Sequence, residues 1–309
     1  MKFAAFLLCV MFAVGCSDTD QTASNVAPTK DNRAEKLAKQ KDAVVRFFKP
    51  MVIRDGDWLV NQKEPGETFE EYIVSNPTLP TAERRTIYIQ PIGTFSAEQK
   101  RAMQLTADYM KAFYNLPVKL NREMLPGKVP KDKSRKIEYR NNLQIRTNYF
   151  LDDVLPKMLP KDAAALVAFT NYDLYPGDSW AFVFGQATFS ERVGVYSLYR
   201  FADARTGKID PKLLLERTLK VAMHETGHMF SMKHCTKYEC LMSGTNHLDE
   251  TDRRPLDNCP ECMAKVAWAM NYDPVERYNN LAAFWKRNGK PDEAKSMLDK
   301  AKAISAATK

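Results

Sequence analysis

Apolar residues recur along this chain at two spacings, and each predicts its own element. From Arg33 to Phe48, Leu37, Val44, Val45 and Phe48 fall on one helical stripe, which Pro50 ends. The stretch 53–85 has no clear period, and no element is assigned to it. Thr86–Gln90 is rich in β-branched and aromatic residues and predicts a strand. Ser96 to Tyr114 predicts a helix, with Ser96 as N-cap and an acidic first turn. Val118–Leu120 predicts a short strand, Lys128–Arg140 a basic loop, and Gln144–Leu155 a helix. Three more strands are expected at Ala164–Thr170, Ala181–Thr188 and Val193–Phe201. Asp210 then caps, and Pro211 opens, a long helix to about Phe230. Asp273-Pro274 begins another helix that Gly289 closes, and Pro291-Asp292 starts a last one. This order predicts an α+β or α/β-like fold, a sheet layer followed by a helical, cysteine-rich end. The final helix pair faintly resembles one tetratricopeptide unit. A single unit cannot form a solenoid, so a hairpin packed on the preceding domain is the expectation.

The first residues do not belong to this pattern. Lys2 precedes an apolar run, Phe3 to Ala13, too short for a comfortable membrane span. The run ends in Ala13-Val14-Gly15-Cys16, which resembles a bacterial lipobox with Cys16 as the lipidated residue. A plain secretory signal with a chance cysteine is the rival reading. Residues 17–32 are polar and read as a tether. The expected organisation is a signal at 1–15, a tether at 16–32, a helical extension at 33–84, a catalytic domain at 85–272 and a helical hairpin at 273–309. The implied location is the bacterial cell envelope, with the protein lipid-anchored and facing the periplasm or the exterior. The 309 residues, 44% hydrophobic and 27% charged, suffice for a buried core. The net charge of +8 is scattered and accompanies no nucleic-acid motif, so nucleic acid is not an expected partner.

Of four histidines, three lie in one segment, His224-Glu225-Thr226-Gly227-His228, continuing to His234. On a helix, His224 and His228 share a face and suit one zinc ion. His234 must reach the metal from beyond the helix end, after the chain turns back. Three nitrogens leave a fourth position for a water, whose pKa zinc lowers to about 7. Glu225, one step around the helix, is placed to take that proton as general base in peptide hydrolysis. Cys235, Cys240, Cys259 and Cys262 follow as two closely spaced pairs. They suit a closed tetrahedral zinc site or, in an exported protein, two disulfides. Residues 181–188, with Phe184, Gly185 and Gln186, are candidates for an edge strand that pairs with substrate backbone.

The run from His224 through His234-Cys235, Cys240, Met242 and Cys259-x-x-Cys262 resembles the archaemetzincin family of metallopeptidases. So do Asp173-Leu174-Tyr175-Pro176, Phe182 to Ala187, Asn246-His247-Leu248 and Asp252 to Leu256. The resemblance covers roughly residues 85–272. It implies a compact metzincin domain, with a mixed sheet and backing helix above a cleft and the zinc helix at its floor. It implies that Met242 forms the Met-turn beneath the metal, and it favours zinc over disulfides at the four cysteines. Two zinc ions per chain are then expected, one catalytic and one structural. His247 is read as a structural hydrogen-bonding residue, since three ligands already complete the catalytic set.

Two departures accompany the resemblance. Ser231 stands where the family has a glycine, at a left-handed turn where a side chain costs on the order of 1–2 kcal/mol. Glycine there is therefore expected to stabilise. Sixteen residues, rather than the family's usual seventeen, separate Met242 from Cys259. The leading expectation is a zinc-dependent metallopeptidase acting on a peptide or protein. A catalytically inactive, zinc-stabilised envelope binding protein is the alternative, and it would have no need of Glu225.

Overall fold

The computed structural model describes residues 30–137, 142–202 and 208–308. The expected signal, Cys16 and nearly all of the tether lie outside them. The chain begins with helix α1 (Lys30–Val44), then two short helices, α2 (Trp58–Asn61) and α3 (Phe69–Val74). Strand β1 (Thr86–Ile92), helix α4 (Ala97–Tyr114) and strand β2 (Val118–Leu120) follow. Next come β3 (Ser134–Ile137), β4 (Asn142–Arg146), the short helix α5 (Leu155–Met158), β5 (Ala163–Thr170) and β6 (Asp173–Tyr175). Strands β7 (Gly185–Ala187) and β8 (Val193–Ser197) precede the long helix α6 (Pro211–Met229). Helices α7 (Leu248–Arg253), α8 (Pro260–Met270), α9 (Pro274–Arg287) and α10 (Pro291–Ala307) complete the described chain.

The main sheet has the order β2-β1-β5-β8-β7, and every pairing is parallel except that of β7. Both faces are covered, so β5 is buried at all eight positions and reads as a continuous apolar run rather than an alternating one. Ile87, Ile89, Val167 and Tyr196 join the core under α4 and α6, while Tyr88, Leu166, Val193 and Val195 face Phe150 and Leu155 on the other side. This is the two-residue period of the strands. A second sheet, β3-β4-β6, stands beside the first.

Four expectations need correction. Gln144–Leu155 is not one helix: strand β4 ends at Arg146, and a wide turn at Tyr149–Val154 leads into α5. Gln144 is buried and donates to the carboxylate of Asp173, so it belongs to a strand pair although its neighbours mimic a helical stripe. The basic segment 128–140 contains a strand, β3, paired to β4. The strand expected at 181–188 is only three residues long. Val183 bridges Leu174 in the smaller sheet region before the chain crosses to pair with β8, so one continuous ladder cannot form. The strand expected from Val193 likewise stops at Ser197 and becomes a single turn.

The unassigned stretch 53–85 forms α2 and α3. Thr68 and Glu71 make a complete capping box at the start of α3, a four-residue signature legible in the sequence but not used above. Helices α9 and α10 follow one another and pack together. One apolar cluster includes Leu37 of α1, Met223 of α6 and Ile304 of α10. Asp257 ties the hairpin to the loops before α8: its carboxylate accepts from Arg277 (3.0 Å) and Lys300 (2.9 Å), and its carbonyl accepts from Leu241 N.

Candidate metal centre

Helix α6 carries the site. The Asp210 carboxylate accepts from Lys212 N and Leu213 N, capping two otherwise orphan donors, and Pro211 fits the first turn. Leu214, Leu219, Ala222 and Met223 anchor the helix in the core. His224 and His228 then lie one turn apart, with their Nε2 atoms separated by 3.0 Å. The helix ends at Met229. Ser231 takes φ +62°, Met232 N returns to the Gly227 carbonyl, and the chain doubles back. That turn brings the His234 ring to 5.2 Å from His224 and 4.9 Å from His228, centre to centre. Ser231 therefore takes the left-handed conformation expected at this turn although it is not a glycine. Its hydroxyl is held on both sides, donating to the Phe189 carbonyl (2.9 Å) and accepting from Thr78 N (2.9 Å).

Each imidazole is fixed through Nδ1. His224 Nδ1 lies 3.0 Å from the Leu241 carbonyl, His228 Nδ1 2.7 Å from the Met232 carbonyl, and His234 Nδ1 2.8 Å from a Glu64 carboxylate oxygen. Oxygens of this kind only accept, so the proton sits on Nδ1 and the lone pair on Nε2. Burial first, and the neighbouring histidines second, push His224 down to about 3 and His228 well below its ordinary value. Both rings are therefore neutral near pH 7. Two imidazole lone pairs facing each other at 3.0 Å repel unless a cation lies between them. One ligand atom from each of the three histidines falls within 4.8 Å of the others. This donor set suits zinc in an open, three-nitrogen site.

Glu225 lies beside the histidines and is nearly buried, 6% exposed. Burial pushes its carboxyl up to about 8. Above it runs β7, the edge of the main sheet. Gly185 has no side chain to hold the carboxylate off: a Cβ there would lie 2.6 Å from Glu225 Oε1. Of the other edge-strand candidates, Gln186 directs its side chain to Thr147, and Phe184 gives its carbonyl to Ser197 N while its ring joins the core. Below the site, Met242 packs against the helix at Gly227, where a Cβ would fall 2.5 Å from its sulfur. The Met242 carbonyl accepts from Cys235 N, which joins this turn to the cysteine cluster.

One sulfur from each of Cys235, Cys240, Cys259 and Cys262 lies within 4.8 Å of the others, all are buried, and none is in a disulfide. Met242 N and Cys259 N both point at Cys240 Sγ, at 3.4 and 3.3 Å. Such donors stabilise a thiolate and suit a closed tetrahedral metal site. His247 accepts from Glu250 N as the N-cap of α7 and approaches Asp57. Asp57 and Glu250 are engaged by Arg253 and Arg254, so this third cluster is an ion-pair network that locks the fold.

A cleft of about 500 Å³ opens over the histidines, walled by Trp58, Trp180, Phe182, Phe184 and Phe189. Trp58 stacks on Trp180 and meets His234 edge-on, with ring centres 5.4 Å apart. The sequence gives no sign of Trp58 or Glu64 at this site. Both come from the stretch without a readable period, and Glu64 is 170 positions from the histidine it touches.

Comparison with known proteins accords with this geometry. The profile of peptidase family M54 matches residues 133–267. Archaemetzincin-2 of Pongo abelii and that of Homo sapiens are each 36% identical to this chain over 268 residues, covering 76% of it and 74% of the relative. The crystal structure of archaemetzincin from Methanopyrus kandleri superposes with a TM-score of 0.50 at 25% identity, covering 62% of this chain and 98% of that one. The chain belongs to the archaemetzincin family of zinc metallopeptidases.

Proposed function

We propose that the chain hydrolyses peptide bonds at the three-histidine centre, with Glu225 as general base and β7 as the rail for substrate. When bound there by His224, His228 and His234, zinc acts as a Lewis acid and acidifies a water. Glu225 takes the proton of the attacking water at Oε1 or Oε2 and returns it to the leaving amine nitrogen. Burial alone raises the Glu225 carboxyl, and a cation held by the three histidines would draw it back toward the ionised form that a general base needs. Among the described residues the outer edge of β7 has no sheet partner, and an extended peptide can add to it as a further strand.

The observation that carries this reading is the seat of Glu225, set between the metal-binding helix and a glycine of the edge strand. It also disfavours the inactive binding protein, which has no use for a buried carboxylate in that position. Chelation tests the reading: peptide hydrolysis should vanish when the accessible metal is stripped and return with added zinc. Hydrolysis that survives chelation contradicts it.

The four cysteines are assigned to a second, structural zinc, supported by their gathering without disulfides. Anchoring by a lipid on Cys16 in a bacterial envelope is supported by the N-terminal sequence alone. A Cys16→Ser variant that stays in the membrane fraction would count against it.

A further inference from the structure

We infer that Glu64 is a positioning residue of the metal centre, and that the N-terminal strap carrying it is a working part of the active site. The inference rests on the three-histidine reading given above.

The three imidazoles are held differently. His224 and His228 donate to backbone carbonyls, of Leu241 and Met232, that belong to the loops after the zinc helix. His234 alone donates to a carboxylate, with Glu64 Oε2 at 2.8 Å and Oε1 at 3.0 Å. His234 is also the ligand with least support of its own, since it lies beyond the helix end on a turn that depends on Ser231 at φ +62°. A carboxylate on Nδ1 fixes the tautomer, sets the ring plane and makes Nε2 a stronger donor.

An exposed Glu–His pair contributes little when its partners are free to move. This one is half-buried on both sides and comes from a strap that is fixed at each end. Upstream, Met51 N donates to the Lys237 carbonyl and Glu239 N to the Lys49 carbonyl, so the strap lies along the loop between the first two cysteines. Asp57 is clasped by Arg253, and Trp58 N donates to Glu250. Downstream, Glu67 is buried on Lys265 of α8, and Gly66 lies against Thr236, where a Cβ would clash with the hydroxyl. Between these anchors the ring of Trp58 meets His234 edge-on, so the imidazole has a wall as well as an acceptor. All of these strap residues lie outside the span 133–267 matched by the family profile.

The test is zinc affinity, read by competition with a chromogenic chelator on the whole protein. Glu64→Ala should weaken by roughly ten- to a hundredfold the binding of the one zinc that His228→Ala abolishes, with the cysteine-bound metal unchanged. Glu64→Gln keeps an acceptor but loses the charge, and should fall between Ala and the parent. With the open site emptied and the cysteine-bound metal retained, parent and variants should melt within a few degrees of one another, whereas a purely structural role for Glu64 predicts a larger drop. Parent-like zinc affinity in the Ala variant overturns the inference. If the Ala variant does not fold, the Gln variant decides alone, and affinity within about twofold of the parent overturns it, well short of the effect such partners usually have. A parent with no zinc sensitive to His228→Ala would instead defeat the three-histidine reading itself.

Discussion

Gly185 and Glu225 are in contact across the cleft, and the contact leaves no room for a methyl group: a Cβ at 185 would lie 2.6 Å from the Glu225 carboxylate and 2.8 Å from Tyr196 Cβ. Gly185 is not one of the chain's positive-φ glycines, so the demand is for space and not for backbone freedom. Gly185→Ala should push the carboxylate away from the metal. Displacing a catalytic group by about 1 Å costs on the order of a hundredfold in rate. Steady-state kinetics on any cleaved peptide should show kcat/KM down by about that factor, with zinc content unchanged. Parent-like kinetics would mean that Glu225 does not act from the seat described.

At Ser231 the structure revises the simple expectation that glycine stabilises. The left-handed backbone costs on the order of 1–2 kcal/mol for any side chain, but the Ser231 hydroxyl offsets this with its bonds to Phe189 and Thr78, each contributing about 1 kcal/mol. Ser231→Gly relieves the strain and loses the bonds, so its stability should stay within about 1 kcal/mol of the parent. Ser231→Ala loses the bonds and keeps the strain, and should be less stable than the glycine variant by about 1 kcal/mol. Denaturant titration of the three proteins gives the order, and an alanine variant as stable as the glycine one would contradict it.

The three-histidine segment was readable because its spacing is local. His224 and His228 are one helical turn apart, and the cap at Asp210 and Pro211 announces their helix. The cysteine pairs and Met242 were legible as types, but only the fold shows Gly227 making way for Met242. Glu64 and Trp58 were illegible for a physical reason: their partners lie far along the chain, and a strap held by side-chain bonds needs no hydrophobic period. The second sheet was misread for a related reason. Gln144 is polar yet buried, because Asp173 and two backbone carbonyls satisfy its amide, and a polar–apolar pattern cannot announce that.

Asp257 should make stability depend on pH. Burial alone would raise its carboxyl, but Lys300 and Arg277 outweigh burial and hold it below the ordinary carboxylate value. A depressed folded pKa means stabilisation that is full above the unfolded value of about 3.9 and lost as pH falls through the folded one. Asp257→Asn leaves two buried cations without their counter-charge and should destabilise by about 3–5 kcal/mol at pH 7. The difference from the parent should shrink below about pH 4, where the parent carboxylate also begins to protonate. Urea titrations at pH 7 and below pH 4 check it, and a gap that widens on acidification would contradict the sign.

The metal count separates zinc from disulfides at the cysteine cluster. Elemental analysis should find two zinc ions per chain. Brief chelation should remove the ion in the open site with little unfolding, and stronger chelation should release the other, lower the melting temperature and expose four reactive thiols. One zinc, no free thiols and a mass four hydrogens lower would establish disulfides instead.

The central claim is that Glu225 moves the proton and does not hold the metal. Glu225→Gln preserves the size of the side chain and removes its basicity. Peptide hydrolysis and bound zinc, measured together on the parent and this variant, test the claim most directly. The expected result is a variant with the parent's zinc content and no measurable hydrolysis. A variant that cleaves peptides at the parent's rate, or one that has lost its zinc, would contradict it.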